Sequence, residues 1–277
     1  MSFQAPTRFR LTVHYDGRTF HGWQAQKDHR TVQGEIEAVL ARVTGARRPV
    51  IGSGRTDSGV HATGQVATVD LPSNWEAHGL RGALNALLPR GIWIQEVRPV
   101  HPDFHPRHDA RRRTYLYRVG VAPCVGSPFQ RFWCWDLSEV TPPPARALLE
   151  AGAAMIPGER SFANFAKAGQ PERGTRCRVY SADWRPWADL GYSFHITADR
   201  YLHHMVRYLV GTMVAVARGY RDPEEMKELL QNPETELSTS PPAPPEGLFL
   251  HAVEYDPEPL APEASIPPSD PRTPLDT

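Results

Sequence analysis

Residues 8–15, Arg-Phe-Arg-Leu-Thr-Val-His-Tyr, alternate polar and apolar side chains. A period of two predicts a strand with one buried face, and Asp16-Gly17 ends it in a turn. Phe20-His21-Gly22-Trp23-Gln24 reads as an aromatic loop; Trp23 suits either stacking on a base or closing over the core. From Thr31 the period lengthens. Val32, Ile36, Val39, Leu40 and Val43 share one helical face, and Gly45 stops the run. Residues 49–53 form a short extended approach to a glycine loop, and residues 65–71 a strand. Ser73 is placed to cap a helix reaching Leu88, with Leu80, Ala83, Leu84 and Leu87 on one face. Pro89-Arg90-Gly91 breaks it, and residues 92–97 form another strand.

Prolines 99, 102 and 106 make the next stretch irregular and mark a boundary between residues 1–105 and 106–255. Beyond it, residues 111–119 alternate so that Arg113, Tyr115 and Tyr117 share one strand face and Leu116 takes the other. Two tyrosines flanked by arginines suit a nucleic-acid platform or a core edge equally. A helix over 142–155, strands over 175–185 and 192–198, and a strongly apolar helix over 201–218 follow. Arg207 sits inside that helix, where burial calls for an acidic partner; His203 and His204 stand near its start. Asp222 caps a short helix to Leu230, and residues 248–255 form a last strand. Each half thus reads strand, helix, strand, strand, helix, strand. The expected class is α/β (α+β): two βαββαβ-like halves joined into one extended, largely antiparallel sheet with a basic cleft at the seam. Residues 256–277, rich in proline and acid, are expected to be a disordered tail.

Charge sharpens this picture. The 277 residues carry a formal net charge of zero, but residues 1–221 hold 29 basic against 18 acidic side chains, a net of +11, and residues 222–277 hold 2 against 13, a net of −11. A basic body points to a polyanionic partner, nucleic acid first. Arginine makes up 28 of the 31 basic residues, and its planar fork grips phosphate and stacks on bases. The three cysteines, Cys124, Cys134 and Cys177, have no C-x-x-C spacing, which argues against a disulfide framework and a zinc knuckle. His101, His105 and His108 are close in sequence, but Pro106 interrupts any shared helix and no H-E-x-x-H motif is present, so a basic loop is expected there, with no metal. Met1 to Arg10 lacks the apolar run of a signal peptide, and no stretch approaches the ~20 apolar residues of a membrane helix. A cytoplasmic protein with no membrane partner is expected.

The candidate chemistry centres on Gly52-Ser53-Gly54-Arg55-Thr56-Asp57-Ser58-Gly59-Val60-His61-Ala62. Glycines let such a loop turn sharply and approach a ligand. Asp57 either faces a bound molecule, kept ionised by Arg55, or hydrogen-bonds its own backbone as a turn residue.

The stretch Gly54 to Ala62 closely resembles the signature of the tRNA pseudouridine synthase A family. Four further stretches resemble that family in order: Tyr15-Asp16-Gly17 with Gly22-Trp23-Gln24, Arg113-Thr114-Tyr115-Leu116-Tyr117, His203-His204-Met205-Val206-Arg207 with Val210-Gly211, and Glu246-Gly247-Leu248-Phe249-Leu250. Together they span residues 8–255. In Phe104-His105-Pro106-Arg107 the family usually has alanine in place of Pro106. The resemblance implies the pseudouridine synthase fold and a homodimer. It implies isomerisation of uridine to pseudouridine at positions 38, 39 and 40 of the tRNA anticodon stem-loop, without a cofactor. It casts Asp57 as the nucleophile, Tyr115 as the residue against the target base and Arg207 as the ion-pair partner of Asp57. Arg55 and Arg113 are expected to bind substrate. The alternative is a non-catalytic RNA-binding protein whose loop only grips phosphate. A phosphate-loop nucleotide enzyme would need Gly-Lys-Ser/Thr where this loop has Arg55-Thr56-Asp57.

Overall fold

The alternation of residues 8–15 produces a half-buried strand, β1 (Thr7–Tyr15), with Phe9, Leu11, Val13 and Tyr15 turned into the core. The computed structural model describes residues 5–167 and 174–256. Helix α1 (Val32–Thr44) is capped by the Thr31 hydroxyl, which accepts from the Gly34 N–H, and stops at Gly45 in the left-handed conformation. A two-residue strand, β2 (Ile51–Gly52), leads into the glycine loop, and the loop into β3 (His61–Leu71). Helix α2 (Ala77–Leu87) and strand β4 (Ile92–Val100) complete the first half. Ser73 does not cap α2. The Trp75 N–H donates to the Pro72 carbonyl, closing a turn that delays the helix to Ala77.

The second half holds β5 (Ala110–Gly120), β6 (Trp135–Asp136), α3 (Arg146–Ala154), β7 (Gly158–Ser161), β8 (Arg176–Trp187), β9 (Gly191–Ala198), α4 (Met205–Ala217), α5 (Pro223–Gln231) and β10 (Leu248–Tyr255). The strand–helix plan is therefore embellished here by two short strands and a helix. Two expected helices start late. Pro142 to Pro144 supply no N–H donors, and the Ala145 N–H goes to the Ala217 carbonyl rather than into an earlier turn. The Tyr201 hydroxyl donates to the carbonyls of Arg113 and Ile196, pinning residue 201 to the sheet, so α4 begins only at Met205. The expected disordered tail lies outside the described residues beyond Asp256.

All ten strands join one mostly antiparallel sheet in the order β4-β1-β3-β10-β5-β9-β8-β7, with β2 on β3 and β6 on β5. The halves do not simply abut. Strand β10, last among the described elements, runs between β3 and β5. It is antiparallel to β5 and parallel to β3 through only two residue pairs, Phe249 with His61 and Leu250 with Ala62. Gly64 belongs there because a Cβ would lie 2.1 Å from the His251 carbonyl oxygen. One continuous apolar cluster, from Phe9 in β1 to Leu209 in α4 and Val253 in β10, underlies both halves.

Leu250 is fully buried at this seam. Leu250→Ala is expected to cost about 2–5 kcal/mol, read as a lower denaturant midpoint at unchanged slope.

Candidate active site

The glycine loop is held by a buried polar frame. Gln65, fully buried in β3, uses both ends of its amide: Oε1 accepts from Ser53 Oγ at 2.7 Å, and Nε2 donates to the Gly54 carbonyl at 2.9 Å. Thr56 Oγ1 lies 2.7 Å from the Tyr15 hydroxyl, and burial raises the pKa of that hydroxyl well above its ordinary value. The Trp23 N–H donates to the Thr56 carbonyl at 3.1 Å. That approach requires Gly22, whose φ is +83° and where a Cβ would lie 2.5 Å from the same carbonyl oxygen. Trp23 is thus part of the core wall, 2 % exposed and stacked over Gly52; it is not a free platform.

Asp57 stands at the tip of this frame with about a third of its side chain exposed. Its carboxylate lies 3.3 Å from His203 Nε2 through Oδ1 and 3.3 Å from His204 Nε2 through Oδ2. Both histidines immediately precede α4, whose N-terminal dipole also favours an anion. Burial lowers the pKa of His204, assisted by the charges of Arg207, His203 and Lys167, while Asp57 acts in the opposite sense. The three side chains place donor atoms within 4.8 Å of one another, spacing that a metal ion would accept. It equally suits a carboxylate set between two imidazoles. His101, His105 and His108 form no such group: His105 Nδ1 accepts from the N–H groups of Arg107 and His108, as a turn residue does.

Arg207 does not pair with Asp57 in this structure. Its Nε donates to the Ala243 carbonyl at 2.6 Å, and the Ala243 N–H returns a bond to the Arg207 carbonyl. Arg207 Nε thus meets a carbonyl where an acid was expected, and the histidine doublet takes the place beside Asp57. Arg55 is exposed, with Nε on Gln24 Oε1 at 3.0 Å. Arg113 binds backbone only: the carbonyls of Ser53, Arg107 and Asp199, each within 3.1 Å. It therefore braces the loop from the second half of the chain.

The two tyrosines of β5 separate. Tyr117 is fully buried and donates to the Pro244 carbonyl at 2.8 Å. Tyr115 packs edge-on to Tyr201 at 4.8 Å, and its hydroxyl has no hydrogen-bond partner among the described residues. Burial pushes the pKa of Tyr115 up to about 12; the Asp57 charge adds to this and Arg113 opposes it. Those couplings place Tyr115 beside Asp57 electrostatically.

Asp57, the two histidines and Tyr115 thus lie at the junction of the two halves of the sheet. The family model for tRNA pseudouridine synthase matches residues 11–109 and 153–256. This chain belongs to that family. A tRNA pseudouridine synthase A of Solidesulfovibrio magneticus is 40% identical over 90% of this chain and 91% of its own length. One from Maridesulfovibrio salexigens is 35% identical over 90% of each, and one from Cereibacter sphaeroides 35% identical over 92% of this chain and 99% of its own.

Sequence reasoning named His203 and His204 only beside Arg207 and in its motif, and assigned neither them nor Gln65 a role at the candidate site. The doublet was visible four and three residues before Arg207, one helical turn away, but nothing local shows which of the three meets Asp57. Gln65 was an isolated polar residue among apolar ones, a signal of a buried hydrogen-bonded group.

Gln65→Leu is expected to strand Ser53 Oγ and the Gly54 carbonyl. The expected cost is about 1–3 kcal/mol of stability, measured by thermal unfolding, with slower pseudouridine formation by the surviving folded protein.

Proposed function

We propose that this synthase isomerises uridine to pseudouridine at positions 38, 39 and 40 of the tRNA anticodon stem-loop, with Asp57 as the nucleophile. The observation that carries this reading is the Asp57 carboxylate: half-sheltered, on a braced loop, with two imidazoles at 3.3 Å and Tyr115 nearby. A turn residue would spend its oxygens on neighbouring N–H groups; the side chain of Asp57 faces the second half of the chain instead. The relatives' names agree with a tRNA substrate.

A paired or stacked uridine is out of reach of Asp57, so the nucleotide flips into the cleft, at a cost of a few kcal/mol. Tyr115, rigid and apolar-backed, offers the ring against which the base settles. Arg55, exposed at the loop tip, contacts the nucleotide's phosphates. Arg113 acts behind it, keeping Ser53 and hence Asp57 in place. Arg207 contributes positive charge that keeps the cleft attractive to an anion. The carboxylate attacks either the sugar or the base; uracil detaches at N1, turns, and rejoins through C5. The two halves, residues 1–105 and 106–255, supply the loop and the tyrosine and arginine elements respectively. The enzyme works as a homodimer in the cytoplasm, a reading supported by resemblance to the family; no helix among the described residues is long and apolar enough to cross a membrane.

Asp57→Asn keeps shape and removes charge. Pseudouridine formation is expected to vanish while tRNA binding and the fold persist, measured on one sample by nucleoside analysis and by filter binding. Substantial turnover by that variant would return Asp57 to a turn role. The +11 charge of residues 1–221 is expected to make tRNA affinity fall steeply with salt, since each phosphate contact releases counterions. A flat response between low and physiological salt would show that phosphates contribute little.

A further inference from the structure

The net reaction moves one proton from C5 of the uracil to N1, whichever atom Asp57 attacks. We propose that His204 is the proton shuttle of this reaction: its Nε2 takes the proton from C5 and gives it to N1. The proposal rests on the Asp57 reading above, because it places the reacting base at the carboxylate.

Nε2 of His204 lies 3.3 Å from Asp57 Oδ2, so an atom that engages the carboxylate comes within reach of the imidazole. Burial favours the neutral imidazole of His204, which enters the cycle as a base, with its hydrogen on Nδ1 and a lone pair on Nε2. The cycle then balances. The N1–C1′ bond breaks with its electron pair on N1, so uracil departs as its N1 anion. Uracil turns and the C5–C1′ bond forms, leaving C5 tetrahedral with its hydrogen still attached. Nε2 removes that proton and becomes an imidazolium, the ring regains its double bond with the negative charge on N1, and N1 takes the proton from Nε2, which returns His204 to its neutral state. No external acid, base or oxidant is consumed.

Three observations single out His204. Its side chain is 17% exposed against 47% for His203, so a proton held between the two halves of the cycle is shielded from water. Its backbone takes a left-handed conformation, φ +63°, at the entrance to α4, uncommon for a residue with a Cβ; such conformations persist at functional sites where surroundings enforce them. The rival base, Tyr115, must lose a proton from a buried hydroxyl beside the Asp57 charge, which is the costlier state to form. The charged groups that bear on His204 are Asp57, Arg207, His203 and Lys167, and the Tyr208 ring flanks it at 6.2 Å.

The test uses tRNA transcripts carrying hydrogen or deuterium at C5 of uridine. His204→Gln is expected to lower kcat about 100-fold, the range for loss of a general acid–base, with tRNA Kd retained. Deuterium at C5 should then slow turnover far more than in the wild-type protein. Added imidazole should restore part of the activity of His204→Gly but not of Asp57→Asn. The proposal is overturned if His204→Gln keeps wild-type kcat, or if its loss of kcat comes with no gain in deuterium sensitivity. It is also overturned if Tyr115→Phe or His203→Gln acquires that sensitivity in its place. An active Asp57→Asn enzyme would instead remove the nucleophile reading, which the deuterium measurement does not touch.

Discussion

Two backbone pairings, Phe249 with His61 and Leu250 with Ala62, hold the candidate site together. The loop that carries Asp57 is anchored by β3, whereas Tyr115 and the histidine doublet belong to the other half. Strand β10 is hydrogen-bonded to both β3 and β5, so it sets the distance from loop to tyrosine. Parallel pairing over so short a stretch is weak by itself. It persists because side chains reinforce it: Phe249 stacks on His61 at 4.7 Å, Thr63 Oγ1 meets His251 Nδ1 at 3.0 Å, and Arg113 reaches across to the Ser53 carbonyl. The seam is thus a joint secured from both flanks.

Electrostatics at the joint follow from the same placement. A carboxylate half-removed from water needs compensating donors. Asp57 has the imidazoles of His203 and His204 at 3.3 Å and lies towards the positive end of α4, while Arg207, whose charge reaches His204, is held off by the Ala243 carbonyl. The arrangement leaves the site polar yet not locked by a bidentate arginine clamp, whose strong paired bonds would tie up the carboxylate oxygens. Imidazoles at 3.3 Å are weaker partners, and a weaker partner is more readily exchanged for substrate.

Much of the architecture was legible because it was written in periodicity. The alternation of residues 8–15, the helical face of residues 32–43 and the Thr31 and Gly45 caps translated directly into structure. Helix starts were less legible, since Pro72, Pro142 to Pro144 and Tyr201 act through turns and long-range bonds that no local pattern encodes. At the site, the prominence of Asp57 came from its glycine loop and from motif order. What could not be read was partnership. Arg207 and His204 are three residues apart on neighbouring turns, and only the tertiary position of the loop decides which meets the carboxylate. The roles of Tyr115 and Tyr117, two residues apart on one strand face, were divided by a similar accident of depth: one reaches a carbonyl in the loop before β10, the other stops short beside the cleft.

The position of β10 in the chain has a consequence during synthesis. Strands β3 and β5 are made early, yet the strand that separates them emerges after every other described element. Translating the chain from Gly120, where β5 ends, to Leu248 takes roughly 6–26 s at ~5–20 residues per second. Throughout that interval the nascent chain carries two open strand edges, which are templates for unwanted pairing. A ribosome-bound intermediate of this protein is therefore a natural client for holdase chaperones, and enzymatic competence arrives in a single late step instead of accumulating as the chain grows.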